Sequence, residues 1–150
     1  MASLGRIYCI GGYNGNFIAT NRVERYTVES HTWEEVASML MPRWEASGVE
    51  CNNQIIVAGG ENHIDNGLSS VEVYNPDLDQ WTSLNPMNSV RVSFRCHYVD
   101  GQIYAIAGDR AGKTVERYDV RDNQWKNVDL PGREMFLFES VVVRMARSVD

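Results

Sequence analysis

The sequence contains no cluster of basic residues and no long apolar run, and each absence excludes a class of partner. Twenty acidic residues outnumber 14 basic ones, for a net charge of −6, whereas a surface that follows a phosphate backbone needs grouped cations. The longest apolar stretches, such as 55–58 and 141–143, are much shorter than the roughly 20 residues of a membrane-spanning helix. Residues 1–4 lack the basic start and apolar segment of a signal peptide. We therefore expect a cytoplasmic protein that binds neither nucleic acid nor a membrane.

Cysteine is scarce as well, and its spacing excludes two kinds of covalent or metal cross-link. Cys9, Cys51 and Cys96 are odd in number and lie in strand-like segments, which favours three buried, reduced thiols over a disulfide framework. No Cys-x-x-Cys or His-x₃-His pairing is present, so a zinc site is not expected. We predict that the protein uses no metal and no cofactor.

The sequence does contain a unit that occurs three times. A double glycine, then Val-Glu-x-Tyr, then a tryptophan seven residues after the tyrosine appear in this order. The tyrosines are Tyr26, Tyr74 and Tyr118, so the period is 48 and then 44 residues, and Ala107 replaces the first glycine of the third copy. A period near 50 built from short strands predicts the blades of a β-propeller, in which each unit must stack on its neighbours.

Each copy is predicted to form four short strands, of which three follow directly from the repeat. An apolar run that ends at the glycines is typical of a strand buried on both faces; these runs are 6–10, 54–58 and 102–106. The Val-Glu-x-Tyr strand follows, and a turn leads to the strand opened by Trp33, Trp81 or Trp125. Because tyrosine and tryptophan recur at constant spacing, we expect them to pack together between blades.

An arginine introduces the fourth strand of each unit. Arg43, Arg91 and Arg133 precede the segments 44–50, 92–98 and about 135–144, which are predicted to be strands. Helical periodicity is absent throughout, so the fold class is predicted to be all-β.

These features together resemble the kelch repeat, and the resemblance covers almost the whole chain. The motifs Met-x₂-Pro-Arg at 39–43 and Val-Glu-Arg-Tyr-Asp at 115–119 are most similar to those of the kelch-like adaptor proteins. The resemblance implies a six-bladed propeller that, in those proteins, follows BTB and BACK regions and brings substrates to a cullin-3 ubiquitin ligase. Neither of those regions fits in 150 residues, so a ligase function would belong to a longer parent.

Counting the strands predicts three four-stranded blades, which is half of a six-bladed propeller. The repeats span roughly 1–42, 43–90 and 91–132, and a closing strand follows at 133–146. No strand is predicted before Arg6, so the first blade is expected to be split between the N- and C-termini, as in propellers that this chain resembles. Three blades are too few for a ring. We expect a homodimer that forms a six-bladed ring, association with a missing propeller half, or a partly open fragment.

In kelch-like adaptors, peptide ligands often occupy the mouth of the central channel, and the resemblance implies which residues line it here. They follow the double glycines or the blade-opening arginines: Tyr13, Asn14, Glu61, His63, Asp109 and Arg110 in the first group, and Trp44, Glu45, Val92, Ser93, Glu134 and Met135 in the second. Acids and apolar side chains predominate. We therefore predict a neutral or basic peptide, anchored on Tyr13 and Trp44 and steered by the carboxylates of Glu61, Asp109 and Glu134.

Two alternatives to this site stay open. The same residues could be ordinary solvated loop residues. The loops 15–20 and 62–68 are a second candidate surface, although we expect Phe17 and Ile18 to fold back onto a blade.

Catalysis is not expected from this sequence. His31, His63 and His97 are isolated from one another and do not form the paired His and Tyr ligand set of copper oxidases with kelch-like blades. Cys96 and His97 are neighbours in one strand, so their side chains point to opposite faces and cannot form a nucleophile–base pair. The predicted function is protein–protein interaction, with recognition of a ligase substrate favoured. The alternative is an actin-associated structural role that uses the outer blade surface.

Overall fold

The chain folds into three antiparallel sheets, as a computed structural model that describes residues 2–3, 5–109 and 114–129 shows. We call them blade 1 (β1–β4), blade 2 (β5–β8) and blade 3 (β9–β12). The strands are β1 (Ala2–Ser3), β2 (Arg6–Ile10), β3 (Val23–Thr27), β4 (Thr32–Val36), β5 (Ser47–Cys51), β6 (Gln54–Ala58), β7 (Val71–Asn75), β8 (Gln80–Leu84), β9 (Arg95–Val99), β10 (Gln102–Ile106), β11 (Val115–Asp119) and β12 (Gln124–Val128). The all-β prediction with four-stranded blades is confirmed for this part of the chain. No helix in it could cross a bilayer.

The second, third and fourth strands of each blade lie where the repeat predicts them. β2, β6 and β10 cover the three apolar runs, and each pairs with the Val-Glu-x-Tyr strand that follows. Tyr74 stands directly opposite Trp81 in the register of β7 and β8, with ring centroids 5.1 Å apart. The same distance separates the tyrosine and tryptophan rings of blades 1 and 3.

The first strands of blades 2 and 3 begin three residues later than predicted. β5 starts at Ser47 instead of residue 44, and β9 starts at Arg95 instead of residue 92. The cause is a left-handed residue in each lead-in, since Glu45 has φ +49° and Ser93 has φ +51°, which interrupts extended backbone. The residues between each arginine and its strand are thereby free to contact the neighbouring loops.

Blade 1 has a short first strand that the sequence count omitted. Ala2–Ser3 pairs with β2, but only opposite Arg6 and Ile7, whereas β5 and β9 each pair along five residues of their neighbours. The prediction of no strand before Arg6 is therefore corrected. The closing strand predicted at 133–146 lies outside the described residues.

Two buried clusters fill the joints between consecutive blades. One lies between blades 1 and 2 and includes Tyr8, Ile55 and Trp81; the other lies between blades 2 and 3 and includes Ile103 and Trp125. The prediction that the Tyr–Trp pairs are buried between blades is thus confirmed for blades 2 and 3. It is wrong for blade 1, where Trp33 is 53% exposed, because that pair faces away from blade 2.

Only two of the three cysteines are buried. Cys51 and Cys96 lie in the core, whereas Cys9 is exposed, so the prediction of three buried thiols is wrong for Cys9. It lies on β2 at the position that Val57 and Ala105 hold in the other blades. Those two residues are buried under the preceding blade.

Candidate partner-binding site

The loops after the double glycines meet the segments that follow the blade-leading arginines. Trp44 and Glu61 exchange two backbone hydrogen bonds of 3.0 Å, which form an isolated antiparallel bridge. The approach depends on Gly60, where a Cβ atom would overlap the Trp44 carbonyl oxygen. Two residues that are 17 positions apart in the sequence are therefore adjacent, as the predicted site requires.

A group of three aromatic rings, two of them exposed and one partly buried, stands on this side of the blades. The Tyr13 and Trp44 rings meet edge to face at 5.1 Å, and Phe17 stacks on Tyr13 at 5.3 Å. Tyr13 and Phe17 are both exposed. Aromatic pairs in these geometries are worth about 0.5–1.5 kcal/mol beyond area burial, so the three rings form a pre-ordered apolar surface.

A compact turn holds Phe17 in this position. The Asn14 side-chain oxygen accepts the N–H groups of Asn16 at 2.9 Å and Ile18 at 3.1 Å, and Phe17 has φ +59°. Asn14, a predicted contact residue, therefore shapes the loop. The prediction that Phe17 and Ile18 fold back onto a blade is wrong, because the turn directs both side chains to solvent.

Two carboxylates flank the rings. Glu45 is exposed and accepts a hydrogen bond from the Ser93 hydroxyl, while the Ser93 N–H donates to the Glu45 carbonyl oxygen at 3.1 Å. Glu61 is partly exposed beside Trp44. Among the predicted residues, the structure thus brings Tyr13, Trp44, Glu45, Glu61 and Ser93 together. With Phe17, which the sequence did not assign to the site, we call them the aromatic–acidic patch.

The remaining predicted residues have different surroundings. Asp109 is nearly buried and lies 3.8 Å from the Arg91 guanidinium, so the prediction that its carboxylate steers a peptide is wrong and the group belongs to the joint between blades 2 and 3. Val92 is half-buried and donates its N–H to Gly108 at 2.9 Å. His63 is exposed in the next loop. Arg110, Glu134 and Met135 lie outside the described residues.

A second concavity, next to the loop that contains His63, was not predicted. It has a volume of about 690 Å³ and is lined by Ile64, Asp65, Asn66, Gly67, Ser89, Val90 and Asp109. Buried Asn62 shapes the loop by accepting the N–H groups of Ile64 at 2.9 Å and Asp65 at 2.7 Å. Ser89 and Val90 lie between repeats, where the sequence pattern carries no signal, so only the tertiary structure shows that they border this loop.

The buried thiol of Cys96 on β9 is not suited to nucleophilic chemistry. Burial raises the pKa of the Cys96 thiol to about 12, and a hydrogen bond with Ser47 only partly opposes this. Since the thiolate is the reactive form, Cys96 is a structural residue at neutral pH. The exposed groups of the patch are aromatic rings, carboxylates and a hydroxyl, which suit the binding of another chain.

Stacked four-stranded blades of this kind define a propeller-type repeat protein. The chain belongs to the kelch family, since the Kelch motif model matches residues 2–40, 42–88 and 91–129. This confirms the predicted resemblance. Repeats of this kind typically serve in protein–protein interaction.

Relatives from several animals share this region. Beta-scruin of Limulus polyphemus is 30% identical over 126 residues, which is 80% of this chain and 14% of that protein. Kelch-like protein 28 of Homo sapiens is 36% identical over 111 residues, 69% of this chain and 19% of that protein. Kelch-like protein 11 of Homo sapiens is 26% identical over 132 residues, 82% and 18% respectively. The chain thus spans less than a fifth of the length of these relatives.

Proposed function

We propose that this chain is a protein-recognition module that binds a neutral or basic peptide segment on the aromatic–acidic patch. The observation that carries the proposal is the contact of Tyr13 with both Phe17 and Trp44 beside two glutamates. Aromatic side chains dominate the binding energy of many interfaces, and their solvent exposure here is otherwise unfavourable.

The charge of the patch selects its partner. Glu45 and Glu61 add negative potential in a chain whose net charge is already −6. A lysine or arginine next to an apolar anchor would pair with these carboxylates and stack on a ring face, a contact worth about 0.5–2 kcal/mol. An acidic segment would instead meet like charges, which suppress the encounter.

In its biological setting, we propose that the module is the substrate-recognition part of a larger ubiquitin-ligase adaptor and has no catalytic activity of its own. Support comes from the kelch repeats and from the similarity to proteins named kelch-like. The three blades would work within a six-bladed ring, completed by a second copy or by a missing half.

Fluorescence anisotropy with two labelled 12-residue peptides tests the proposal. The peptides have equal leucine content, but one contains lysine and arginine and the other contains aspartate and glutamate. The basic peptide should bind, and Trp44→Ala should weaken its binding at least tenfold. Leu78→Ala, at an exposed position in the β7–β8 turn, is the matched control and should bind as the wild type does. Equal binding of both peptides, or binding that Trp44→Ala leaves unchanged, would refute the proposal.

The actin alternative is tested in parallel by co-sedimentation with actin filaments. If the outer blade surface binds actin, the chain should pellet with filaments and Trp44→Ala should pellet equally. No pelleting above the control without filaments would exclude that role.

A further inference from the structure

The three rings of the aromatic–acidic patch form a row with Tyr13 in the middle. Tyr13 stacks on Phe17 with centroids 5.3 Å apart and an interplanar angle of 20°, and it meets the Trp44 ring at 5.1 Å and 90°. The centroids of the two outer rings are therefore at most 10.4 Å apart, the sum of these two distances. The size of this row limits the kind of segment that can lie along it.

The main chain of the patch is already hydrogen-bonded within the protein. Trp44 and Glu61 each donate an N–H to the carbonyl oxygen of the other. Asn14 donates its N–H to Ile18 at 3.0 Å, and Phe17 donates to Asn14 at 2.9 Å. A peptide that adds as a strand needs a row of free backbone N–H and C=O groups. This surface is therefore not suited to strand addition.

A helical ligand fits the row poorly as well. An α-helix with its side chains is about 10–12 Å across, and it binds by laying an apolar stripe into a groove. The Tyr13 and Phe17 side chains are 58% and 66% exposed, so they project from the surface and do not line a groove. Two glutamates lie next to Trp44, which keeps the apolar surface narrow at that end.

The row offers a ligand one ring-borne hydrogen-bond donor. The indole N–H of Trp44 is buried. Tyr13 is exposed, and its hydroxyl makes no hydrogen bond within the described part of the chain. A matching ligand therefore needs apolar groups for the rings, a carbonyl oxygen for Tyr13 and few N–H groups of its own.

A proline-rich segment has these properties. Proline has no backbone N–H, and a polyproline II helix has no internal hydrogen bonds, so its carbonyl oxygens are free to accept. The helix has three residues per turn and a rise of about 3.1 Å per residue, which places residues i and i+3 on one side about 9 Å apart. That spacing fits within the 10.4 Å limit between the Phe17 and Trp44 rings.

We infer that the aromatic–acidic patch recognises a polyproline II segment with two prolines three residues apart and a flanking lysine or arginine. The inference rests on the proposed function and specifies the peptide that the patch binds. One proline packs on Phe17 and the other on Trp44, and the Tyr13 hydroxyl donates to a carbonyl oxygen between them. Because such a segment is already extended in solution, it loses less conformational entropy on binding than a flexible peptide does.

The carboxylates determine where the basic residue lies. Glu45 follows Trp44 in the sequence, and Glu61 is bridged to Trp44 through the backbone. The Ser93 hydroxyl donates to one oxygen of the Glu45 carboxylate, which orders this side chain and leaves its second oxygen as an acceptor. The lysine or arginine therefore flanks the proline at the Trp44 end of the row.

Fluorescence anisotropy with two matched peptides tests the inference. Both have 12 residues and an arginine at each end, so that either chain direction brings one arginine to the glutamates. The first contains two prolines three residues apart, and the second has alanine in their place. Because the two peptides carry equal charge, charge alone cannot distinguish them. The proline peptide should bind at least about tenfold more tightly.

Two variants separate the ring contact from the hydrogen bond. Phe17→Ala should weaken binding of the proline peptide at least about tenfold and change that of the alanine peptide much less. Tyr13→Phe keeps the ring and removes the hydroxyl, so it should weaken the proline peptide about three- to tenfold, the usual effect of one hydrogen bond. Leu78→Ala, at an exposed turn position, should change neither. All three side chains are exposed, so no variant removes core packing.

The outcomes distinguish this inference from the proposed function. Equal binding of the two peptides would overturn the inference and leave the proposed function intact, because a basic peptide would still bind. Binding of neither peptide would refute both. Circular dichroism of the bound peptide, after subtraction of the protein spectrum, should keep the polyproline II signal. A helical or strand signal acquired on binding would also overturn the inference.

Discussion

The same residue of the repeat has different roles according to what covers it. Glu24, Glu72 and Glu116 occupy one position of the Val-Glu-x-Tyr motif. The last two are buried and accept an arginine and two backbone N–H groups each, whereas Glu24 is part of an exposed ion pair. The sequence predicts the strand that carries them, but their surroundings depend on the neighbouring blade, about which the local pattern carries no information.

Replacing Glu72 should therefore be far more damaging than replacing an exposed glutamate. Glu72→Gln leaves Arg43 buried without its counter-charge, so the free energy of unfolding should fall by about 3 kcal/mol. Glu34→Gln, which breaks the half-exposed pair with Arg25, should change it by less than about 1 kcal/mol. Urea denaturation followed by tryptophan fluorescence measures both. Equal effects of the two variants would contradict the burial described for Glu72.

The Cys96 thiol should make the free energy of unfolding decrease at alkaline pH. Its pKa is about 12 in the folded protein, against an ordinary value of 9.0. Because the unfolded chain loses this proton first, stability is fully present below pH 9 and falls by up to about 1.4 kcal/mol per pH unit between pH 9 and 12. Cys96→Ala should reduce the slope of the unfolding free energy over that range. An unchanged slope would show that Cys96 is not the group responsible.

At the scale of elements, the strands that end at glycines are predicted well and the strands that follow arginines are not. Apolar runs and double glycines locate β6 and β10 to the residue. The predicted starts of β5 and β9 are wrong because Glu45 and Ser93 adopt left-handed backbone conformations. A sequence rarely indicates such a conformation at a residue other than glycine. The same shift creates the Trp44–Glu61 bridge, so the boundary error and the formation of the site have one cause.

The double glycines are required for two separable reasons, backbone conformation and close approach. At Gly59, with φ +62°, a Cβ would lie 2.5 Å from the Arg91 carbonyl oxygen and 2.6 Å from the Phe94 ring. At Gly12, with φ +101°, nothing lies within 4 Å, and Gly15 has neither constraint. Thermal unfolding should rank Gly59→Ala as most destabilising, Gly12→Ala intermediate at about 1–2 kcal/mol, and Gly15→Ala near neutral. A Gly15→Ala effect as large as that of Gly59→Ala would contradict the packing described here.

At the scale of the whole molecule, the repeat determines the blades, and the residues between repeats determine the surface. The spacing of tyrosine, tryptophan and glycine predicts three blades and brings Tyr13, Trp44 and Glu61 to one side of them. It does not predict Phe17, whose position depends on the hydrogen bonds that the Asn14 side-chain oxygen accepts from the N–H groups of Asn16 and Ile18. It also assigns Asp109 to the surface, although Arg91 draws that carboxylate into a joint. The first difference arises from a local turn and the second from a tertiary contact.

The four tryptophan indoles of the chain allow the most direct test of the proposed binding surface. In a ¹⁵N–¹H spectrum titrated with the lysine- and arginine-rich peptide, the Trp44 indole signal, assigned through Trp44→Phe, should shift in step with binding. The Trp81 and Trp125 indoles donate to the carbonyl oxygens of Ala37 and Asn85, so their signals should not shift. A peptide that binds while the Trp44 signal remains fixed would contradict the assignment of this patch as the recognition surface.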